Sequence, residues 1–216
     1  MKRLVLFAAV LTALVSCGPK HMVSGTISGV ESGQLYFVCN DEVDGMVMDT
    51  VYLDNGKFFY DPAIKKPDIL MIVDKDHFID YITLYLVPGE YCTINGTMTD
   101  YTVSGSKFYK DWGAFHEMAK GNLAALHDLR ATIPTEEDPD FDMAAYSARE
   151  REISQEWNEL ALDFIKKNPD SDVCAYLARE ISSAEKFLEA DEAISDKVKE
   201  GPLGFLIENR YLMIDA

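Results

Sequence analysis

The stretch YTVSGSKFYKDWGAF, residues 101–115, changes its hydrophobic period and thereby decides the fold class. Its first four residues alternate as in a short β-strand, whose side chains point to opposite faces in turn. Its second part carries Phe108, Trp112 and Phe115 at helical spacing, which predicts a helix with one apolar stripe. The change falls at about Ser106, so we expect strands before this residue and helices after it.

Upstream of the change, about eight short strands are predicted, separated by turn residues. Asp54-Asn55-Gly56 is typical of a tight hairpin, because both central positions of such a turn require positive φ. Many short strands with frequent turn signals favour an antiparallel β-sandwich or barrel. The predicted strands are 23–29, 34–39, 46–53, 57–60, 68–73, 79–87, 91–95 and 101–104.

Downstream of the change, a C-terminal bundle of four to five helices is predicted. Asp170 or Ser171 can cap the third helix, since a short polar side chain satisfies backbone N–H groups at a helix start. Ser182-x-x-Glu185 has the form of a capping box and predicts the start of a fourth helix. Pro202 predicts the start of the last one. The expected fold class is therefore α+β.

The N-terminus has the pattern of a bacterial export signal. Two basic residues precede an apolar run from Leu4 to Val15, which is too short for the roughly 20 residues that span a bilayer. The run ends in LVSC, which resembles the lipobox of bacterial lipoproteins, and its cysteine is Cys17. We therefore expect residues 1–16 to be a signal peptide and Cys17 to carry the lipid.

This anchor predicts a place in the cell. Two or more acyl chains, such as palmitate, hold a protein stably on a membrane. Gly18 follows the cysteine, which by resemblance to lipoprotein sorting rules favours the outer membrane, and we expect the periplasmic face. The predicted division of the chain is a signal peptide at 1–16, a lipidated tether at 17–20, a β-sandwich domain at 21–105 and a helical domain at 106–216.

The charge of the chain excludes one class of partner. The formal net charge is −17, and it becomes −19 when Lys2 and Arg3 leave with the predicted signal peptide. Nucleic acid is bound through cationic contacts to phosphate, so we expect no nucleic-acid partner. The same acidity disfavours a protein that lies flat on anionic lipid.

The remaining cysteines form no redox motif. Cys39, Cys92 and Cys174 are widely spaced, and the chain has no C-x-x-C sequence. A Cys39–Cys92 disulfide is one interpretation, if their strands are neighbours in an oxidising envelope. Buried free cysteines that act as small apolar residues are the favoured alternative.

No catalytic, cofactor or metal-binding residues are predicted. His116-Glu117-x-x-Lys120 begins like a zinc-protease helix but lacks the second histidine, so we expect an exposed pair on a helix. The four histidines, His21, His77, His116 and His127, show no metal spacing.

Charged and aromatic runs are likewise predicted to have ordinary roles. The acidic runs 40–45 and 136–142 are expected to be solvated loops, because neither fits a calcium-binding loop. The Arg149-Glu150-Arg151-Glu152 run predicts a solvated helix face. Aromatic residues alternate on the predicted strands, so about half would face outward, against the helical half, a protein or a glycan.

Most of the chain after the predicted tether resembles a known family architecture. The motifs, in order, are SGTISG at 24–29, DTV at 49–51, DNGKFFY at 54–60, Pro67, YLVPGEY at 85–91, VSGS at 103–106 and NPDS at 168–171. By these motifs the first half resembles an N-terminal domain of unknown function that, in Gram-negative gut anaerobes of the Bacteroides type, precedes thioredoxin-like thiol–disulfide oxidoreductases. The helical half, which includes the last motif, resembles the spacer that follows.

The departure from this family is at the C-terminus. In the family, a thioredoxin fold with a Trp-Cys-x-x-Cys site follows the spacer, whereas this chain stops at Ala216, about where that domain would begin. No catalytic residue of the family has a matching position here. The resemblance therefore implies the accessory part without the enzyme.

Three functions stay open at this point. The favoured one is a non-catalytic, lipid-anchored binding or scaffolding module that holds a protein partner, such as a thioredoxin-like protein or a second copy of itself. The second is a truncated or partner-dependent thiol–disulfide redox protein. The third is a binder of a small molecule or glycan in the envelope.

Overall fold

A computed structural model describes residues 22–41, 45–79, 81–134 and 138–214. Within these ranges, eight strands precede six helices, which confirms the α+β class. The strands are β1 Val23–Ile27, β2 Gln34–Asp41, β3 Gly45–Tyr52, β4 Lys57–Tyr60, β5 Asp68–Asp74, β6 Tyr81–Leu86, β7 Cys92–Gly96 and β8 Tyr101–Gly105. The helices are α1 Lys107–Arg130, α2 Met143–Lys167, α3 Val173–Glu180, α4 Ala184–Ala193, α5 Asp196–Lys199 and α6 Phe205–Ile214.

The strands form a sandwich of two four-stranded sheets. The first sheet has the order β4-β1-β7-β8, and the second has the order β3-β2-β5-β6. Phe37 of the second sheet packs edge-on against Phe58 and Tyr60 of the first, with ring centroids 5.5 and 4.7 Å apart. These aromatic contacts join the inner faces of the two sheets, and the apolar core continues from there into the helical half.

The expectation of an entirely antiparallel sandwich is wrong at one pair of strands. β1 and β7 run parallel, with Gly25 opposite Ile94. Five strands, β2 to β6, separate them along the chain, and such a long crossover permits parallel pairing. A Cβ at Gly25 would lie 1.8 Å from the carbonyl oxygen of Ile94, so the close approach of the two backbones requires glycine.

The predicted turn at 54–56 forms, but the predicted hairpin does not extend beyond it. Asn55 and Gly56 have φ values of 51° and 77°, and Asp54 and Lys57 exchange two backbone hydrogen bonds of 2.9 and 3.0 Å. Beyond this pair, the strands separate into different sheets. The backbone N–H of Leu53 donates to the Gly33 carbonyl instead.

The helical half differs from prediction in helix number and in its caps. Six helices form where four to five are predicted, and the additional one is α5, a single turn of four residues. Ser183, not Ser182, caps α4 by accepting from the backbone N–H of Lys186. Asp172 is the residue before α3 and makes no side-chain cap bond, and the last helix begins at Phe205, three residues after Pro202. Each helix start is therefore within a few residues of its signal, as is usual for helix boundaries.

Two helices place this half against the sandwich. α1 packs on β8 through Gly113, where an added Cβ would lie 2.0 Å from the Val103 carbonyl oxygen. α3 is the central helix, because all residues from Val173 to Ala178 are buried. Within the described ranges, none of the helices combines the length and the apolar content that crossing a bilayer requires.

Candidate functional site

The outer side of the second sheet carries an exposed apolar surface, which we call the methionine face. It consists of Met46, Met48 and Tyr52 of β3, Met71 of β5 and Phe78 just after β5. Met46 is 76% exposed, Tyr52 71%, Phe78 67% and Met48 60%. Large apolar side chains scattered singly on a surface are normal, whereas a contiguous group marks an interaction site.

The strand register makes this face continuous. Val38 of β2 lies opposite Met48 on one side and Met71 on the other, so the three side chains form a row across three strands. Tyr36, two residues earlier on β2, stacks with Phe78 at a centroid distance of 6.1 Å. Leu35 and Phe37, at the alternate positions of β2, are fully buried and point into the sandwich.

The helices cover the other end of the same outer surface. Tyr85 of β6 is buried against Tyr176 of α3, with ring centroids 5.0 Å apart. The guanidinium of Arg130, at the end of α1, lies 5.0 Å from the ring centroid of Tyr81. The β6 end of this surface therefore belongs to the helix–sheet interface, and the β3 end faces solvent in the described structure.

β3 also offers an open backbone edge. In the described part of the chain, its ladder is formed with β2 alone, and β3 is the last strand of its sheet. The outward N–H and C=O groups of an edge strand can pair with an extended segment of another chain. Methionine and aromatic side chains are also enriched at protein interfaces, where flexible thioethers adapt to a partner. The methionine face therefore has the chemistry of a protein-binding surface.

The three described cysteines are buried free thiols, as the favoured interpretation predicts. Cys39 belongs to the second sheet and Cys92 to the first, so the alternative of a disulfide between neighbouring strands is wrong. Burial raises the pKa of Cys92 to about 12 and that of Cys174 to about 12. A thiol attacks a disulfide in its thiolate form. At neutral pH, raised pKa values keep Cys92 and Cys174 almost entirely in the unreactive thiol form.

The expectation that His116 is exposed is wrong. His116 is buried, and its ring packs at a tilt of 38° against Tyr101 of β8, with a centroid distance of 4.4 Å. It lies on the apolar stripe of α1, four residues after Trp112, which explains its burial. Burial lowers the pKa of His116, and no group in the described ranges hydrogen-bonds its Nε2. Glu117 and Lys120 are exposed, as expected.

Other predicted features lie partly or wholly outside the described residues. Cys17 and the signal peptide precede residue 22, and the acidic runs 40–45 and 136–142 extend into undescribed segments. Among the described residues, no three His, Cys, Asp or Glu side chains are grouped as metal ligands. Arg149 forms an exposed ion pair of 2.9 Å with Glu152, as predicted for a solvated helix face. Arg151, on the same helix, instead lines a cleft.

The match to a family model covers the sandwich. Residues 21–112 match a domain of unknown function, DUF4369. The match spans all eight strands and the first turn of α1, so the predicted resemblance to a domain of unknown function is confirmed there, and its association with thioredoxin-like proteins stays a prediction. Neither the curated proteins nor the solved structures gave a match to this chain.

The methionine face lies wholly within the DUF4369 region, and sequence reasoning missed it. The signal was present in β3, where Met46, Met48 and Tyr52 alternate on one side. The opposite side carries Val47 and Val51, so alternation alone does not tell which side faces the core. The choice follows from pairing with β2, and that pairing joins distant parts of the chain.

Proposed function

We propose that this protein is a lipid-anchored envelope lipoprotein that acts as a non-catalytic protein-binding module. The observation that carries the proposal is the methionine face, an exposed apolar surface beside the open edge of β3. Such a face costs solubility when it is left uncovered, and a partner that covers it removes that cost. The net charge of −17 keeps the rest of the surface soluble.

The proposed anchor is the lipid on Cys17, supported by the apolar run and the LVSC sequence at the N-terminus. Cells fed a labelled fatty acid should incorporate the label into this protein and carry it in the outer-membrane fraction. The Cys17→Ser variant should lose both the label and the membrane association. A labelled C17S protein, or an unlabelled wild type, would contradict the anchor.

The partner that the family resemblance favours is a thioredoxin-like thiol–disulfide oxidoreductase in the same compartment. In this proposal the protein positions its partner near the membrane and takes no part in electron transfer. The buried thiols Cys92 and Cys174, with their raised pKa values, support a non-redox role over a redox one.

Chemical crosslinking in cells, followed by mass spectrometry, tests the binding function. Wild type should yield a specific crosslinked protein, and the Met48→Glu variant should lose it, because a buried unpaired carboxylate disfavours association. Leu188→Glu is the matched control, since Leu188 is also exposed but belongs to α4, which packs on α2 and α3. Recovery of no specific partner, or recovery of the same amount of crosslinked partner with M48E, would contradict the proposal.

A further inference from the structure

A cleft in the helical half is separate from the methionine face. It lies between the second half of α1, the middle of α2 and the end of α3, and its volume is about 400 Å³. This volume is in the range of small-molecule sites, which are mostly apolar with a few convergent polar groups.

The apolar part of the cleft is formed by side chains that are held in place by packing. Leu126 of α1 and Ile153 and Trp157 of α2 line it. Trp157 is half-buried, and its ring packs edge-on against Phe115 with centroids 5.8 Å apart. A fixed indole beside two aliphatic side chains can take a flat apolar group without ordering flexible residues.

The polar part of the cleft is rich in arginine. Five of the six arginines of this acidic chain lie between residues 130 and 210, and two of them, Arg130 and Arg151, line the cleft. The other three are engaged nearby, in ion pairs with Glu152 and Glu180 and in bonds to backbone carbonyls. In the ranges that the structure describes, neither Arg130 nor Arg151 forms an ion pair with a carboxylate.

The carboxylates of the cleft do not neutralise these two guanidinium groups. The carboxylate of Glu180 is 3.5 Å from the guanidinium of Arg179, so Glu180 pairs with an arginine outside the cleft. Glu150 lines the cleft on its exposed side and forms no ion pair among the described residues. Neither guanidinium group is thus paired with a described carboxylate, although that of Arg130 also packs on the Tyr81 ring. A guanidinium group matches a carboxylate in shape and charge.

We propose that this cleft binds a small carboxylate ligand with a flat apolar body. Arg130 and Arg151 bind the carboxylate, and the apolar body lies on Trp157 between Leu126 and Ile153. The proposal does not depend on the protein partner, because the cleft is formed by helices and the methionine face by the second sheet.

Titration calorimetry with 1-naphthoate tests the site, and the neutral 1-naphthamide is the matched probe. The protein is the chain from residue 17 onward with Cys17→Ser, so that no lipid is present. We expect 1-naphthoate to bind at least about tenfold more tightly than the amide, because bonds between charged groups are stronger than neutral ones. Arg151→Gln should weaken 1-naphthoate binding about tenfold and leave amide binding unchanged.

Arg149→Gln is the control, because Arg149 lies two residues before Arg151 on α2, does not line the cleft and pairs with Glu152. It should leave the affinity for 1-naphthoate unchanged. Arg151 is exposed, so its replacement does not threaten folding, and circular dichroism of the variant verifies this. Equal affinity for acid and amide, unchanged binding in R151Q, or no binding of 1-naphthoate overturns the proposal.

Discussion

The carboxylate of Glu90 accepts a hydrogen bond of 3.2 Å from the backbone N–H of Phe108, across 18 residues of sequence. The hydroxyl of Ser106 donates to the same carboxylate and accepts from the backbone N–H of Tyr91 at 3.0 Å. A negative charge is thereby held at the N-terminus of α1, where free N–H groups need acceptors. The turn between β6 and β7 thus fixes the start of the helical half.

Removal of this contact should destabilise the packing of the helical half on the sandwich. We expect Glu90→Ala to lower the free energy of unfolding by about 1–2 kcal/mol, as for the loss of a helix cap. Glu90→Gln keeps an acceptor and should cost less. Urea denaturation measures both variants. If the effects of E90A and Ser106→Ala are fully additive, the shared contact is absent.

Two glycines of α1 make a matched pair. Gly113 faces β8, where an added Cβ would lie 2.0 Å from the Val103 carbonyl oxygen, whereas a Cβ at Gly121 would meet open space. Gly113→Ala should therefore destabilise the protein by about 2–3 kcal/mol through overpacking. Gly121→Ala should stabilise it by about 0.5–1 kcal/mol, because alanine is the better helix former. Similar unfolding midpoints for the two variants would show that α1 does not pack on β8 in this way.

Burial of His116 should make stability depend on pH. Its pKa is lowered in the folded protein, so the unfolded chain binds a proton that the folded chain does not. Stability from this group is complete above its unfolded pKa of about 6.5 and is lost as the pH falls below that value. His116→Phe removes the titration, although Asp100, Glu117 and Lys120 remain nearby.

The test is urea denaturation of both proteins at pH 7.5 and at pH 5.5. Wild type should lose more stability than H116F on acidification. Parallel behaviour of the two proteins would show that His116 titrates normally.

Chemical reactivity measures the state of the thiols. At pH 7.5, an aromatic disulfide reagent should modify Cys39, Cys92 and Cys174 slowly in the native protein, and all three rapidly in urea, because the thiols are buried. In an insulin-reduction assay with dithiothreitol as donor, the protein should give no acceleration over buffer. Acceleration in that assay, or rapid modification of one native thiol, would support the redox function instead.

Local signals in the sequence predicted the elements well and their partners poorly. All eight strands lie within two residues of their predicted bounds, because alternation and turn residues act over a few positions. The parallel pairing of β1 with β7 and the separation of β3 from β4 into different sheets were not predicted. They depend on which distant strands become neighbours, and period-2 alternation carries no information on that.

The candidate sites depended on the same missing information. His116 is a polar residue, which is expected on the exposed side of a helix. Its burial follows from the packing of α1 on β8. Arg130 and Arg151 belong to different helices, and only the packing of α1 on α2 brings them to one cleft. The cysteines were predictable as free and buried, because they lie in apolar stretches without close spacing.

Site-specific photocrosslinking tests the central claim most directly. Tyr52 and Phe59 are both exposed aromatic residues on edge strands, but Tyr52 lies on the methionine face and Phe59 on β4 of the other sheet. A photoreactive phenylalanine at either position changes little else in the strand. Irradiated cells should give a discrete crosslinked species, larger than the protein itself, from position 52 and not from position 59. No species from position 52, or the same species from both positions, would contradict a protein-binding role for the methionine face.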